Sequence, residues 1–273
     1  MSDPAYEVYA LKYAHHDRHS RENFLVEDPH DGPQPLAFYI WIIRNDERTV
    51  LVDTGFDEAM ALRRRRNITR PVADGLRALG IAPSSIEDII LTHLHYDHCG
   101  NYDAFPRARY HVQDTEVAYA TGRHMCHPLL KIPFEVDDVV QLVRQVYAGR
   151  VAFHDGTDEI APGVTIHKIG GHSKGLQCVR VVTSRGPVVL ASDCCHLYPH
   201  FREGRVYPVT YNVAEVLEGY RTIRGLAASD DHVIPGHDPA VLDLYPPVSP
   251  ELAGVAARLD VAPRAVEAMA GVR

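Results

Sequence analysis

The sequence predicts an α/β fold, and three observations carry that expectation. Its 273 residues are enough to bury one large core, and 45% hydrophobic with 23% charged residues is the balance of an ordinary globular protein. Short β-branched runs alternate with segments of helical period along most of the chain. Glycine-flanked His and Asp residues stand where strand-like runs end, the position at which α/β sheets offer polar groups to a crevice. No composition break, linker or internal repeat divides the chain, so a single domain over 1–273 is expected.

Taken in order, Tyr6 to Tyr13 alternates weakly, and Leu36 to Arg44 is rich in aromatic and β-branched residues; both read as strands. Between them, residues 14–35 are polar and broken by Asp28-Pro29 and Asp31-Gly32-Pro33, the mark of a long surface loop and a candidate lid. Its His15, His16, His19 and His30 are expected to be solvated. Thr49 to Val52 is a buried strand that ends on Asp53, which either caps the helix starting near Asp57 or orients a metal ligand. Arg63 to Arg66 point all round a short helix, so a solvated basic turn is expected rather than one pocket wall.

Pro71 to Leu79 reads as a helix stopped by Gly80, and Ile86 to Leu91 as a strand. A strand at Ala108–Val112, a helix at Asp114–Thr121 capped by Asp114, and a helix at Val136–Ala148 follow. Residues 122–133 form a second irregular loop, in which His124 and His127, like His111 before them, fit no motif. In the second half, Val164–Ile169 is a strand, Gln177–Thr183 and Pro187–Ala191 form a hairpin, and a short strand leads to Pro235-Gly236-His237. The alanine-rich tail, 249–273, is expected to be helical.

The chemistry concentrates in Thr92-His93-Leu94-His95-Tyr96-Asp97-His98-Cys99-Gly100. At the end of an extended segment alternate side chains share a face, so His93 and His95 project together. Asp97 and His98 then fall in the turn, where the chain can aim them at a neighbouring point. A pair of imidazoles beside an aspartate–imidazole pair is a suitable inventory for two adjacent divalent metals. Three later strand ends add His172 in Gly170-Gly171-His172-Ser173, Asp193 in Ser192-Asp193-Cys194-Cys195-His196, and His237.

Other classes are disfavoured. A formal charge of −8 argues against a nucleic-acid-binding surface. No apolar run approaches the roughly 20 residues that cross a bilayer, and the first residues carry neither a basic nor an apolar leader segment, so no membrane partner and no signal peptide are expected. Cys99, Cys126, Cys178, Cys194 and Cys195 are odd in number and lack a framework spacing, which reads as reduced thiols in the cytoplasm.

The set Thr92 to His98, Gly171-His172-Ser173, Ser192-Asp193 and Pro235-Gly236-His237, with the Val52-Asp53-Thr54-Gly55 turn, resembles the metallo-β-lactamase superfamily, and most of all its N-acyl-homoserine-lactonase-like branch. The resemblance spans about residues 36 to 245, the core of the chain. It implies an αββα sandwich with the metals along one edge. It also implies that His93, His95 and His172 hold one metal, Asp97, His98 and His237 a second, and that Asp193 bridges them. Zinc suits this His-rich set best, with iron, manganese or cobalt as other occupants.

The implied reaction is the opening of a lactone or related cyclic ester or amide by a metal-bridging hydroxide, with N-acyl-homoserine lactones among the candidate substrates. Asp97 is then both ligand and proton carrier. The branch places a tyrosine three residues after the bridging aspartate to hold the substrate carbonyl. Here that position is His196, and the nearest tyrosine is Tyr198, so either takes the role. The alternatives in the same superfamily are a thioester hydrolase of the glyoxalase II kind and a phosphodiesterase. The expected partner is a small-molecule substrate, and a homo-oligomer is left open.

Overall fold

The computed structural model describes residues 5–26 and 31–264. Its first sheet opens with β1 (Glu7–His16), β2 (Leu36–Arg44) and β3 (Thr49–Val52). Helix α1 (Glu58–Arg64), the short β4 (Asn67–Ile68) and α2 (Val72–Ala78) lead into β5 (Asp88–Ile90) and β6 (Arg109–Gln113). Helices α3 (Asp114–Ala120), α4 (Pro128–Lys131) and α5 (Val136–Tyr147) precede the edge strand β7 (Val151–His154). The second sheet is built from β8 (Thr157–Ala161), β9 (Val164–Lys168), β10 (Gln177–Thr183) and β11 (Gly186–Ser192). After α6 (Tyr198–Glu203) and α7 (Val213–Leu226), β12 (Val233–Pro235) completes it. Helix α8 (Ala240–Leu244) and β13 (Ala256–Arg258) close the described chain.

The first sheet runs β13-β1-β2-β3-β5-β6-β7, with β4 against β1, and the second runs β12-β11-β10-β9-β8. Strand β2 shows why they form a sandwich. Its side chains alternate between Ala37, Tyr39, Trp41 and Ile43, which enter the core between the sheets, and Phe38, Ile40 and Ile42, which enter the core beneath the first sheet. A strand apolar on both faces must be covered on both. Residues of α1, α2, α3 and α5 supply the outer cover on that side, while α6, α7 and α8 pack with the second sheet. The layers are therefore αββα, as the sequence resemblance implies.

Several boundaries differ from expectation. Strand β1 continues to His16, because His15 and His16 keep their register with Ala37 and Leu36, so the surface loop starts only at residue 17. Asp57, and not Asp53, caps α1 by accepting the Met60 amide, whereas Asp114 opens α3 without a side-chain cap from Gln113 before it. The tail is not helical where it is described. It forms a single 3₁₀ turn at Pro250–Leu252 and then β13, whose Ala256 and Ala257 pair with Leu11 and Ala10; residues 265–273 lie outside the described chain. Strands β7 and β8 and the long helix α7, capped by Asn212, carry no clear signal in the sequence. Among the described residues no helix is long and apolar enough to cross a membrane.

Candidate metal centre

The strand ends converge on one edge of the sandwich. Parallel β3 and β5 bring Asp53 beside the segment that leaves Ile90, and the Asp53 amide donates to the Ile90 carbonyl at 2.9 Å. Parallel β11 and β12 do the same for Asp193 and His237 in the other sheet. Asp53 and Ser192, at the ends of β3 and β11, hold φ of +62° and +47°, a left-handed backbone that non-glycine residues seldom adopt. The cost is offset by a buried network. Asp53 accepts from the Thr92 amide (2.7 Å) and hydroxyl (2.8 Å) and pairs with His98 Nδ1 (2.7 Å), while the Thr92 and Ser192 hydroxyls meet at 2.8 Å.

Two donor sets result, with a third, overlapping group formed by His172, Asp193 and His196. The ligating atoms of His93, His95 and His172 lie within 4.8 Å of one another, as do those of Asp97, His98, Asp193 and His237. Asp193 faces both sets. Its Oδ2 is 3.1 Å from His172 Nε2 and 3.8 Å from His93 Nε2, and its Oδ1 is 3.4 Å from His98 Nε2 and 2.9 Å from His237 Nε2. Asp97 Oδ2 approaches His98 Nε2 (3.5 Å) and His237 Nε2 (3.6 Å). The outer nitrogens are fixed by acceptors: His172 Nδ1 by the Val209 carbonyl (2.7 Å), His237 Nδ1 by the Ala37 carbonyl (2.9 Å) and His98 Nδ1 by Asp53. That arrangement leaves each Nε2 as the inward-facing lone pair.

These residues fit a pair of cations. His93 Nε2, His98 Nε2, His172 Nε2 and Asp193 Oδ1 are all buried without a hydrogen-bond partner, a costly state for a protein interior unless another group satisfies them. The electrostatics separate the sets. Burial, reinforced by the neighbouring imidazoles, pushes His93 and His95 well below the usual histidine range, so both are neutral donors. Burial would also neutralise His98 and His237. The carboxylates around them overcome it: Asp193, Asp97 and Asp53 raise His98 well above its ordinary value, and Asp193 and Asp97 raise His237. Burial opposes the ionised forms of Asp97 and Asp193 in turn, and the surrounding imidazoles outweigh it and hold both low.

The structure brings His93, His95, Asp97, His98, His172, Asp193 and His237 together and adds His196, whose Nε2 is 3.1 Å from Asp193 Oδ2. The His196 ring stacks on Tyr207 at 3.9 Å. It does not bring in Tyr198, whose ring is buried in the core between the sheets beneath the Arg202 guanidinium, with its hydroxyl unpartnered. Two supporting residues had no signal in the sequence. Buried Glu116 accepts the amides of Leu94 (3.0 Å) and Gly175 (2.8 Å), tying the two histidine loops together. Gly175 permits this because a Cβ there would lie 2.3 Å from the Glu116 amide nitrogen. Tyr207 donates to the Asp193 carbonyl.

The basic turn is not simply solvated. Arg64 forks onto Glu135, caps the Ile132 and Phe134 carbonyls and lies 4.4 Å over the Tyr96 ring. On the His95–His172 side a cleft of about 210 Å³ is lined by Tyr119, Leu129, Leu130, Ile132, Val209 and Tyr211.

An αββα sandwich with a paired His/Asp cluster along its edge defines a class of proteins, and the comparisons with known proteins agree. The metallo-beta-lactamase superfamily model matches residues 34–242, and the chain belongs to that superfamily. It is similar to the N-acyl homoserine lactonase AiiB of Agrobacterium fabrum, 29% identical over 183 residues that make up 59% of this chain and 63% of that protein. The chain therefore matches just under two thirds of that relative's length. Among solved structures it resembles a quorum-quenching N-acyl homoserine lactone lactonase, with a TM-score of 0.72 and 21% identity over 86% of this chain and 94% of that one. It also resembles an N-acyl homoserine lactone hydrolase with the product N-hexanoyl-L-homoserine at its catalytic metal centre, with a TM-score of 0.71 and 20% identity over 87% and 94%.

Proposed function

We propose that this chain is a dinuclear metal-dependent hydrolase that opens a lactone or a related cyclic ester or amide. His93, His95 and His172 would hold one cation and Asp97, His98 and His237 the other, with Asp193, which faces both sets, shared between them. The observation that carries this reading is the division of Asp193: one carboxylate oxygen faces each donor set, and several of the surrounding nitrogens have no other partner. Zinc is the occupant that best suits imidazole and carboxylate donors. Bound there, a pair of divalent ions polarises a carbonyl and lowers the pKa of water toward about 7.

The protein's own groups do the rest. Asp97, held ionised by His98 and His237, accepts the proton of the attacking water and returns it to the ring oxygen as the ester bond breaks. His196, which burial lowers to about 4 despite the nearby Asp193, is neutral at pH 7 and offers one N–H to the substrate carbonyl oxygen. Stacking on Tyr207 fixes its ring. The apolar cleft beside His95 and His172 seats the substrate's hydrocarbon part and keeps bulk water from that side. The relatives' names make N-acyl-homoserine lactones the first substrates to try. The free cysteines, four buried and Cys126 exposed, suit a cytoplasmic setting.

The test is a pH-indicator screen of lactones, esters, thioesters, phosphodiesters and cyclic amides on protein of known metal content. Acid release from lactones is the expected result. Turnover of thioesters or phosphodiesters alone would replace this reading with another chemistry of the superfamily.

A further inference from the structure

Beside the metal loop lies a second cluster, tied through Arg64 and the Ile132 carbonyl to one wall of the apolar cleft, and it carries more positive charge than the described carboxylates match. Tyr96 stands between His95 and Asp97, and its hydroxyl accepts from Arg66 Nε at 2.9 Å. Arg66 Nη1 reaches His16 Nε2 at 3.1 Å and the Arg64 carbonyl at 2.7 Å. His16 pairs in register with Leu36, next to Ala37, whose carbonyl fixes His237. Arg18 follows two residues later. Its Nε is buried and has no hydrogen-bond partner, and its nearest carboxylate oxygen, on Glu22, is 4.0 Å away. Among the described residues no carboxylate lies in ion-pair range of Arg66. By contrast the adjacent Arg63 and Arg64 share an ion pair with Glu135.

Two guanidiniums thus converge on one imidazole beside the metal loop. Burial and then Arg66 and Arg18 drive His16 down to about 4, so it adds no charge of its own and registers the local positive potential. In a chain of net charge −8, a part-buried cationic pair that among the described residues has only Glu22 within ion-pair range, 4.0 Å from Arg18 Nε, is a place built to receive an anion. The guanidinium fork matches a carboxylate in geometry, and Arg18 Nε is the buried donor left without a partner beside Arg66.

We infer that Arg18 and Arg66 form an anion-binding rim on the Asp97–His237 side of the centre, which takes a carboxylate carried by the substrate. The apolar cleft on the His95–His172 side and this rim beside Tyr96 both border the metal loop, so together they orient a molecule with a hydrocarbon end and an anionic end. The substrate class that follows is a lactone bearing a carboxylate. The reaction assigned here rests on the lactonase reading, whereas the anion site does not.

The test measures binding and needs no turnover. With metal-loaded protein, calorimetry compares the dicarboxylates succinate, glutarate and adipate with butyrate, pentanoate and hexanoate. One carboxylate of each can meet the metals, and only the dicarboxylates can also meet the rim. At one chain length the dicarboxylate should bind at least about tenfold more tightly, the size of one charge-assisted contact. Arg66→Gln and Arg18→Gln should each remove that preference and leave monocarboxylate binding unchanged. Arg18→Gln does not touch Tyr96, so its effect stays interpretable even where loss of the Arg66–Tyr96 bond perturbs the loop. A wild-type protein without dicarboxylate preference, or variants that keep it, would overturn the inference. A protein that binds dicarboxylates as expected and hydrolyses no lactone would overturn the proposed reaction and leave the anion rim standing.

Discussion

The two donor sets are built from similar side chains yet sit in opposite electrostatic states. His93, His95 and His172 form an almost purely imidazole set, in which burial and mutual repulsion keep His93 and His95 uncharged. Asp97, His98 and His237 share their space with Asp193, and Asp53 stands behind His98, so His98 and His237 are driven to take protons. The first set is ready for a cation as folded. The second is ready for positive charge of any kind, and a metal there competes with protons. One carboxylate, Asp193, joins the two.

That difference ranks the expected outcomes. Asp193→Ala removes an oxygen from both sets and should abolish turnover, a loss above roughly a thousandfold for a group on which both cations depend. Metal analysis of the same protein should find fewer than two ions per chain. His95→Ala also abolishes turnover, but it touches the first set only, so the second should keep its ion. Equal metal loss in the two variants would break the distinction between the sets.

Next in size is Gly175→Ala. Its Cβ would press on the Glu116 backbone, from which the two histidine loops hang, and a loss of about 2–4 kcal/mol is expected by denaturant unfolding. An unchanged midpoint would mean that the loops do not depend on this contact.

The pH dependence of the metal-free protein sharpens the comparison further. His98 and His237 have raised pKa values in the fold, so the stability they contribute is fully present below the unfolded value of about 6.5 and is lost as pH rises toward their folded values. His93 and His95 are lowered, so their part of the stability is lost as pH falls below about 6.5. Thermal melts of the metal-free protein should therefore show Tm falling from pH 7 to pH 9. The metal-loaded protein should show no such fall, because deprotonated imidazoles bind the cations better. Parallel curves for the two forms would contradict the assignment.

The smallest effect is expected at Tyr198. Its hydroxyl is buried without a partner and its ring lies in the core, so Tyr198→Phe should keep turnover within about twofold and leave stability unchanged or slightly higher. His196→Phe should lower kcat, since that ring faces the cluster. A large loss in Tyr198→Phe would exchange the roles of the two residues.

Much of this was legible in the sequence, for physical reasons. The run from His93 to His98 announces itself because its residues are neighbours in the chain, and β2 does so because its side chains alternate without a break. His172, Asp193 and His237 were readable only through the glycine-flanked strand ends that carry them. Glu116 and Tyr207 left no trace, because a helix glutamate and a loop tyrosine look ordinary until the fold seats them against Gly175 and Asp193. The Arg18–Arg66 pair was hidden in the same way. Four arginines in succession read as a solvated turn, and only the fold shows that two of them, Arg64 and Arg66, bend onto Tyr96. The tail misled because alanine favours a helix locally, while pairing with β1 requires a strand.

The most direct measurement is the metal content of fully active wild-type protein. Two divalent ions per chain, with activity lost on chelation and restored by adding zinc back, is the expected result. Full activity with one ion per chain, or with none, would show that the two donor sets do not work as a pair.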